Sequence, residues 1–163
     1  MARPRKKGLD YFPLDCRLDV KFELIEAEFG LKGFAIVVKL LQKIYALDGY
    51  YCEWNEDISL LFARKNLSSS DGTNLIDTVV QASIRRGIFS KELYEKYGIL
   101  TSSGIQKRYL EACVRREKVE MKKEYLLINV DINQVNTYSN PINVDNNSKN
   151  VDHNPQSKVK KSK

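Results

Sequence analysis

Apolar residues recur at helical spacing along much of the first 118 residues, and this pattern predicts a series of helices. The strongest signal is residues 31–48, where apolar side chains three and four positions apart mark one wide face that must pack inside a domain. The predicted helices cover about residues 19–30, 31–48, 55–66, 73–86 and 102–118. Gly30 and Gly87 are placed to end two of them, because glycine adopts the left-handed helix-terminating conformation at low cost.

The two helices on either side of a serine-rich turn, residues 67–72, are both amphipathic. Asn55 is a predicted N-cap of the first, and Ser102 or Ser103 is a predicted N-cap of the last helix. The buried residues are predicted to be Ile58, Leu61 and Phe62 before the turn and Leu75, Ile76, Val79, Val80 and Ser83 after it.

Short apolar runs between the helices predict β-strands at residues 50–54, 88–89 and 99–101. The charged loop 91–98 between the last two strands would then be a wing. The predicted fold is mainly α with a small β-wing, a winged helix-turn-helix over residues 16–120. Helix-turn-helix units of this shape also serve as protein-interaction modules, so the fold does not fix the function.

Both ends of the chain are predicted to differ from this domain. Residues 1–15 would form a basic arm, and the alternation of apolar and polar residues within 121–135 predicts an extra strand. Residues 136–163 are rich in Asn, Ser and Lys and are expected to be disordered, because so few apolar residues cannot offset the entropy of ordering.

Composition argues against several classes of protein. The 3 cysteines are widely spaced without a Cys-x-x-Cys motif, which argues against disulfides and a zinc site and suits a reducing cytoplasm. The single histidine, His153, lies in the polar C-terminal segment, which argues against a histidine-based catalytic triad and against a metal site with two histidines. No apolar run approaches the roughly 18 residues of a membrane span, and the N-terminus has no secretory signal. We therefore expect a cytoplasmic protein that is no enzyme, has no cofactor or metal and does not associate with a membrane.

The net charge of +6 is concentrated at the two ends of the chain. Residues 1–10 carry +3, residues 11–100 carry −2, residues 101–130 carry +3 and residues 131–163 carry +2. Basic ends can neutralise phosphates and make binding to nucleic acid depend on salt. They also keep a protein in solution, and charge alone does not separate these two interpretations.

One face of the helix over residues 73–86 is chemically suited to a DNA groove. Asn74, Thr78, Gln81 and Arg85 lie together opposite the apolar stripe. Asn and Gln can pair with adenine edges and Arg with guanine. The same residues are also typical of a plain solvated helix face, and Arg86 and Arg85 suit the negative end of the helix dipole.

Further candidate DNA-contacting residues are basic side chains outside this helix. They are Arg3, Arg5, Lys6 and Lys7 on the arm, Lys91 and Lys96 on the predicted wing, and Lys107, Arg108 and Arg115 on the last helix. Glu92 and Glu95 cancel the charge of the wing, and Glu111 interrupts the basic face of the last helix. Intrahelical pairing and solvation are the alternatives to phosphate contact for these groups.

Five ordered stretches resemble the N-terminal domain of phage and prophage replisome organisers, the DnaD-like replication initiation proteins of Firmicutes. They are Phe12-Pro13-Leu14-Asp15, Glu23 to Gly33, Gly49-Tyr50-Tyr51-Cys52-Glu53-Trp54, Arg86-Gly87-Ile88-Phe89 and Leu100 to Tyr109. The resemblance implies a winged-helix domain that self-associates and binds origin DNA, followed in the family by a helical domain tied to helicase recruitment. Because the chain ends at Lys163, helicase recruitment is not carried over to it.

From these observations we expect a DNA-binding module of a phage or mobile-element replication initiator. Its expected partners are DNA, further copies of itself and other replication proteins. A protein–protein assembly module of a replisome and a winged-helix transcriptional regulator are alternatives that the sequence leaves open.

Overall fold

The computed structural model describes residues 6–68 and 71–139, which form a mainly helical fold with two small sheets. The helices are α1 (Val20–Ala46), α2 (Glu56–Asn66), α3 (Gly72–Arg85), α4 (Lys91–Tyr97) and α5 (Ser103–Ala112). The strands are β1 (Cys52–Glu53), β2 (Ile99–Leu100), β3 (Val119–Lys122) and β4 (Val135–Tyr138), and a 3-10 helix covers Lys123–Tyr125. In this part of the chain no helix combines the length and apolarity needed to cross a membrane.

Helix α1 consists of two helical pieces joined at Gly30. The φ of +70° and ψ of −166° at this residue lie in a region that is essentially restricted to glycine, so the backbone changes direction there. The predicted boundary between two helices is therefore confirmed. The second piece supplies much of the core through Val37, Leu40 and Ile44, which are all fully buried.

Helices α2 and α3 follow the predicted helix–turn–helix order, and α3 packs against α1 and α2. The predicted cap of α2 is confirmed, since the Asn55 side chain accepts a hydrogen bond of 2.9 Å from the backbone N–H of Ile58. The predicted buried face of α2 is partly wrong, because Leu61 is 71% exposed and Ser59 is buried instead. The small Ser59 allows a close approach to α3, where its hydroxyl donates to the carboxylate of Asp77.

The predicted wing is wrong, because residues 91–97 are helix α4 and residues 88–89 form a bend. The Ser90 hydroxyl caps α4 by accepting a 3.3 Å bond from the N–H of Leu93, and Gly98 ends the helix. The Leu93 side chain is buried, which anchors the short helix to the core. Strand β2 then pairs in antiparallel fashion with β1, with Cys52 opposite Leu100.

The C-terminal part of the described chain also departs from prediction. Helix α5 ends at Ala112 rather than near residue 118, and residues 126–134 form no extra strand but an irregular segment with turns. Strands instead lie on either side of it, where β3 and β4 pair in parallel with Val119 opposite Val135. Residues 136–138, expected to be disordered, are therefore part of a strand, and residues 140–163 of the expected tail lie outside the described residues.

Candidate nucleic-acid interface

The outer face of α3, made of Asn74, Thr78, Gln81 and Arg85, is exposed along its length. The opposite side of the helix is buried through Ile76, Val79, Val80 and Ser83, as the apolar pattern predicts. The Thr78 hydroxyl donates 2.7 Å to the backbone carbonyl of Asn74, which leaves its methyl group as an apolar contact point. The amphipathic sequence thus presents the predicted face to solvent.

Helix α4 borders the outer face at its C-terminal half. The Gln81 amide nitrogen donates a hydrogen bond of 3.1 Å to the hydroxyl of Tyr94. This bond holds the Gln81 side chain against α4. The segment predicted as the wing therefore still lies beside α3, although it does so as a helix. Lys91 lies 3.7 Å from the Glu95 carboxylate, and the Lys96 ammonium lies 5.2 Å from the ring centroid of Tyr97.

A groove of about 660 Å³ opens between the end of α3, the start of α4 and the start of α5. We call it the α3–α5 groove; its polar lining is Gln81, Arg85, Ser90, Lys91, Ser102 and Ser103. It brings together three predicted site residues, Gln81, Arg85 and Lys91, from two helices. Ser102 caps α5 as predicted by accepting 3.3 Å from the N–H of Ile105, while the Ser103 side chain is exposed.

A second groove of about 650 Å³ continues past α5 and shares Ser103 and Leu127 with the first. Lys107 and Glu111 line it, so a predicted cation and the predicted interrupting acid lie side by side. Lys107 is exposed one helical turn beyond Ser103. Of the predicted site residues, Gln81, Arg85 and Lys91 line the first groove and Lys107 lines the second, and the two grooves adjoin at Ser103 and Leu127.

Both arginines at the end of α3 contact one carboxylate that the sequence prediction missed. Nη2 of Arg86 lies 2.6 Å from Oε2 of Glu28, and Nη2 of Arg85 lies 3.3 Å from Oε1. The hydrogen bond from Arg86 is the main reason that the pKa of Glu28 is lowered from its ordinary value of 4.5. Since 57 and 58 residues separate these partners, no local sequence pattern signals the contact.

The described part of the basic arm is docked on the body of the protein. The backbone carbonyls of Lys6, Lys7 and Gly8 accept bonds of 2.7 to 2.8 Å from the Arg116 guanidinium, and the N–H of Leu9 donates to the Tyr45 carbonyl. The side chain of Lys6 pairs with Asp10, and that of Lys7 lies 3.9 Å from Asp48. Arg3 and Arg5 lie outside the described residues.

The lysines of the arm line a different cavity from the α3–α5 groove. This cavity, about 320 Å³, is bordered by Lys6, Lys7, Arg116 and Lys118. Arg116 was absent from the predicted set, although its neighbour Arg115, which is exposed, was included. Arg108 is 3.2 Å from Asp15, so it ties α5 to the segment before α1.

Among residues 6–68 and 71–139, no group of three or more His, Cys, Asp and Glu side chains is arranged to hold a metal ion. Burial raises the pKa of the Cys52 thiol to about 12 and also raises that of Cys113. These two cysteines are therefore protonated core residues.

Comparison with known proteins places the chain in a phage-related family. Residues 11–105, from the arm to the start of α5, match the family described as Lin1244/Lin1753-like, N-terminal. The chain is 45% identical over 131 residues to an uncharacterized phage-related protein, Lin1244/Lin1753, of Listeria innocua serovar 6a. The match covers 79% of this chain and 42% of the relative. No solved structure matches the chain.

Proposed function

The chain belongs to the Lin1244/Lin1753-like family, and from this phage-related context we propose that it is a module that binds duplex DNA. The chain spans 42% of the length of its relative, so the proposal concerns this module alone. The proposed activity is binding and includes no chemical step. The observation that carries the proposal is that Gln81 and Arg85, on the outer face of α3, also line the α3–α5 groove.

The dimensions of α3 suit the proposed binding. A helix of 14 residues is about 21 Å long, and a major groove about 12 Å wide accepts an α-helix. The amides of Asn74 and Gln81 would contact base edges, with adenine as their best partner. The exposed methyl group of Thr78 suits the methyl group of thymine.

The groove would hold the phosphates that flank the contacted bases. Arg85, Lys91 and Ser103 line this groove, Ser103 and Lys107 line the adjoining one, and all four side chains are polar or cationic. Phosphate contacts of this kind fix the position of a protein on a duplex without reading sequence. This arrangement supports the groove as the path of one DNA strand.

The finer proposal of replication initiation rests on the resemblance to DnaD-like replisome organisers. That resemblance covers the residues that form α1, the turn into β1 and the start of α5. A phage-related family fits this role, and other replication proteins are then further proposed partners.

The test is the affinity for a DNA duplex of about 20 base pairs, measured by fluorescence anisotropy at about 50 and 200 mM salt. We expect binding that weakens steeply as salt rises. Arg85→Gln and Lys91→Gln should each weaken it roughly threefold or more and reduce the salt slope by about one. The matched control is Lys39→Gln, which removes the same charge from an exposed position of α1 that lines neither groove. Equal affinity of the two groove variants and the wild type would refute the proposed interface.

A second candidate function, protein assembly, is favoured by apolar side chains at the surface. Val20 and Leu24 lie one turn apart on α1 and are 63% and 41% exposed, and Leu61 on α2 is 71% exposed. A homo-oligomer or a complex with another protein would cover such residues. Light scattering that gives a defined oligomer, together with no duplex binding at low salt, would favour this function over DNA binding.

A further inference from the structure

We infer that Glu28 is a positioning residue that competes with a DNA phosphate for Arg85 and so lowers the affinity of the α3–α5 groove for any duplex. This inference rests on the proposed function. Glu28 lies in the first piece of α1, two residues before the bend at Gly30, and reaches the C-terminal end of α3. Its two carboxylate oxygens accept hydrogen bonds of 3.3 and 3.4 Å from Nη2 of Arg85. A phosphate oxygen would otherwise bind this nitrogen.

The two arginines that contact Glu28 have different roles. Arg86 is 25% exposed and makes the short contact of 2.6 Å, whereas Arg85 is 62% exposed and makes only the longer contacts. An exposed ion pair with long contacts contributes little free energy, because water screens both charges. Arg86 therefore anchors the carboxylate, and Arg85 is held weakly enough to exchange it for a phosphate.

The exchange leaves no charge without a partner. When Arg85 turns toward a phosphate in the groove, Glu28 keeps its hydrogen bond to Arg86, and Arg85 gains an anion in place of the one it leaves. Arg86 depends on this arrangement more than Arg85 does, because its guanidinium is less exposed to water that could replace the carboxylate. The anchoring contact is thus the one that persists.

The fold keeps Glu28 at this position through a second link on the same helix. The Lys21 ammonium, two turns earlier on α1, donates 3.4 Å to the backbone carbonyl of Gly87 just after α3. Together with the bend at Gly30, this contact holds the first piece of α1 across the end of α3. The carboxylate is therefore held beside the Arg85 guanidinium, where it competes with a phosphate for that one cation.

A double-mutant cycle on duplex binding tests the inference. Glu28→Gln keeps the size and hydrogen-bonding oxygen of the side chain but removes its charge, and it should tighten binding about two- to fivefold. In an Arg85→Gln background the same change should have almost no effect, because the competition is for Arg85. Glu23→Gln, at an exposed position of the same helical piece, is the matched control and should leave affinity unchanged.

A merely structural role for Glu28 would give a different result. If Glu28→Gln tightens binding equally with and without Arg85, the effect is a general change of charge and the competition is refuted. If Arg85→Gln weakens binding while Glu28→Gln does not tighten it, the inference fails and the proposed function stands. Absence of binding by all variants at low salt refutes the proposed function itself, and with it the inference.

A second variant covers the case in which Glu28→Gln does not fold. Glu28→Asp keeps the charge that Arg86 needs and shortens the side chain by one methylene group, so the longer contacts to Arg85 are the first to be lost. We expect a smaller gain in affinity that again requires Arg85. Unchanged affinity of a folded Glu28→Asp protein, with Arg85→Gln still weakening binding, would also overturn the inference.

Discussion

The ring of Tyr109 lies directly against the α-carbon of Gly49, so a β-carbon at position 49 would overlap the ring. Gly49 follows the end of α1 with a φ of +90°, and Tyr109 is a fully buried residue of α5. The Tyr109 hydroxyl donates 2.8 Å to the carbonyl of Lys7. One tyrosine thus joins the end of α1, helix α5 and the N-terminal segment.

Replacement of Gly49 by alanine should strongly destabilise the protein. The added methyl group meets the Tyr109 ring, and the positive φ adds backbone strain, so we expect a loss of at least about 2 kcal/mol in the free energy of unfolding. Urea denaturation followed by circular dichroism measures this change. Gly104→Ala is the control, because its β-carbon would have no neighbour nearer than 3.9 Å and should leave stability unchanged or slightly raised. Similar stability of both variants would contradict the close packing at Gly49.

Gln106→Leu should loosen the segment after β3. The Gln106 amide is fully buried; it donates 2.7 Å to the carbonyl of Tyr125 and accepts 2.9 Å from the N–H of Leu127. Each backbone group left unpaired should cost about 1–3 kcal/mol. Hydrogen exchange should show faster exchange at Leu127, and limited proteolysis should cut near it. Lys107→Gln, the exposed neighbour on α5, serves as the control and should keep the wild-type pattern.

One cysteine should react rapidly with a thiol reagent in the folded protein. Cys16 is exposed, whereas Cys52 and Cys113 are buried and burial raises the pKa of both thiols. At about pH 8 we expect one fast thiol, three after denaturation and none that is fast in a folded Cys16→Ser variant. Rapid reaction of a second thiol would show that the core around β1 or α5 opens readily.

The contact between Glu28 and Arg86 should contribute to stability at neutral pH and be lost in acid. Because the folded-state pKa of Glu28 is lowered, its contribution is present above the unfolded value of about 4.5 and disappears as the pH falls below it. The urea midpoint of the wild type should therefore fall more between about pH 5 and pH 3 than that of Glu28→Gln. Parallel pH profiles would mean that the ion pair does not stabilise the folded protein.

Local sequence determined most of the helical framework. The apolar period located α1, α2, α3 and α5 together with the inward side of α3, and Asn55 and Ser102 act as the predicted caps. Helix α4 had local signals too, since Ser90 and Gly98 stand at its two ends. The charge and tyrosine content of residues 91–98 favoured a loop in the prediction. In the structure the segment is a helix whose Leu93 side chain packs in the core.

The outer face of α3 could be listed from the sequence, because helical periodicity places Asn74, Thr78, Gln81 and Arg85 on one side whatever the rest of the chain does. Only the tertiary structure decided that Lys91 and Ser103 border this face and that Glu28 contacts Arg85. It also decided the parallel pairing of β3 with β4 and the docking of the arm through Arg116. Neighbouring residues encode helical period and caps, whereas contacts between residues far apart in the chain depend on how the finished helices pack.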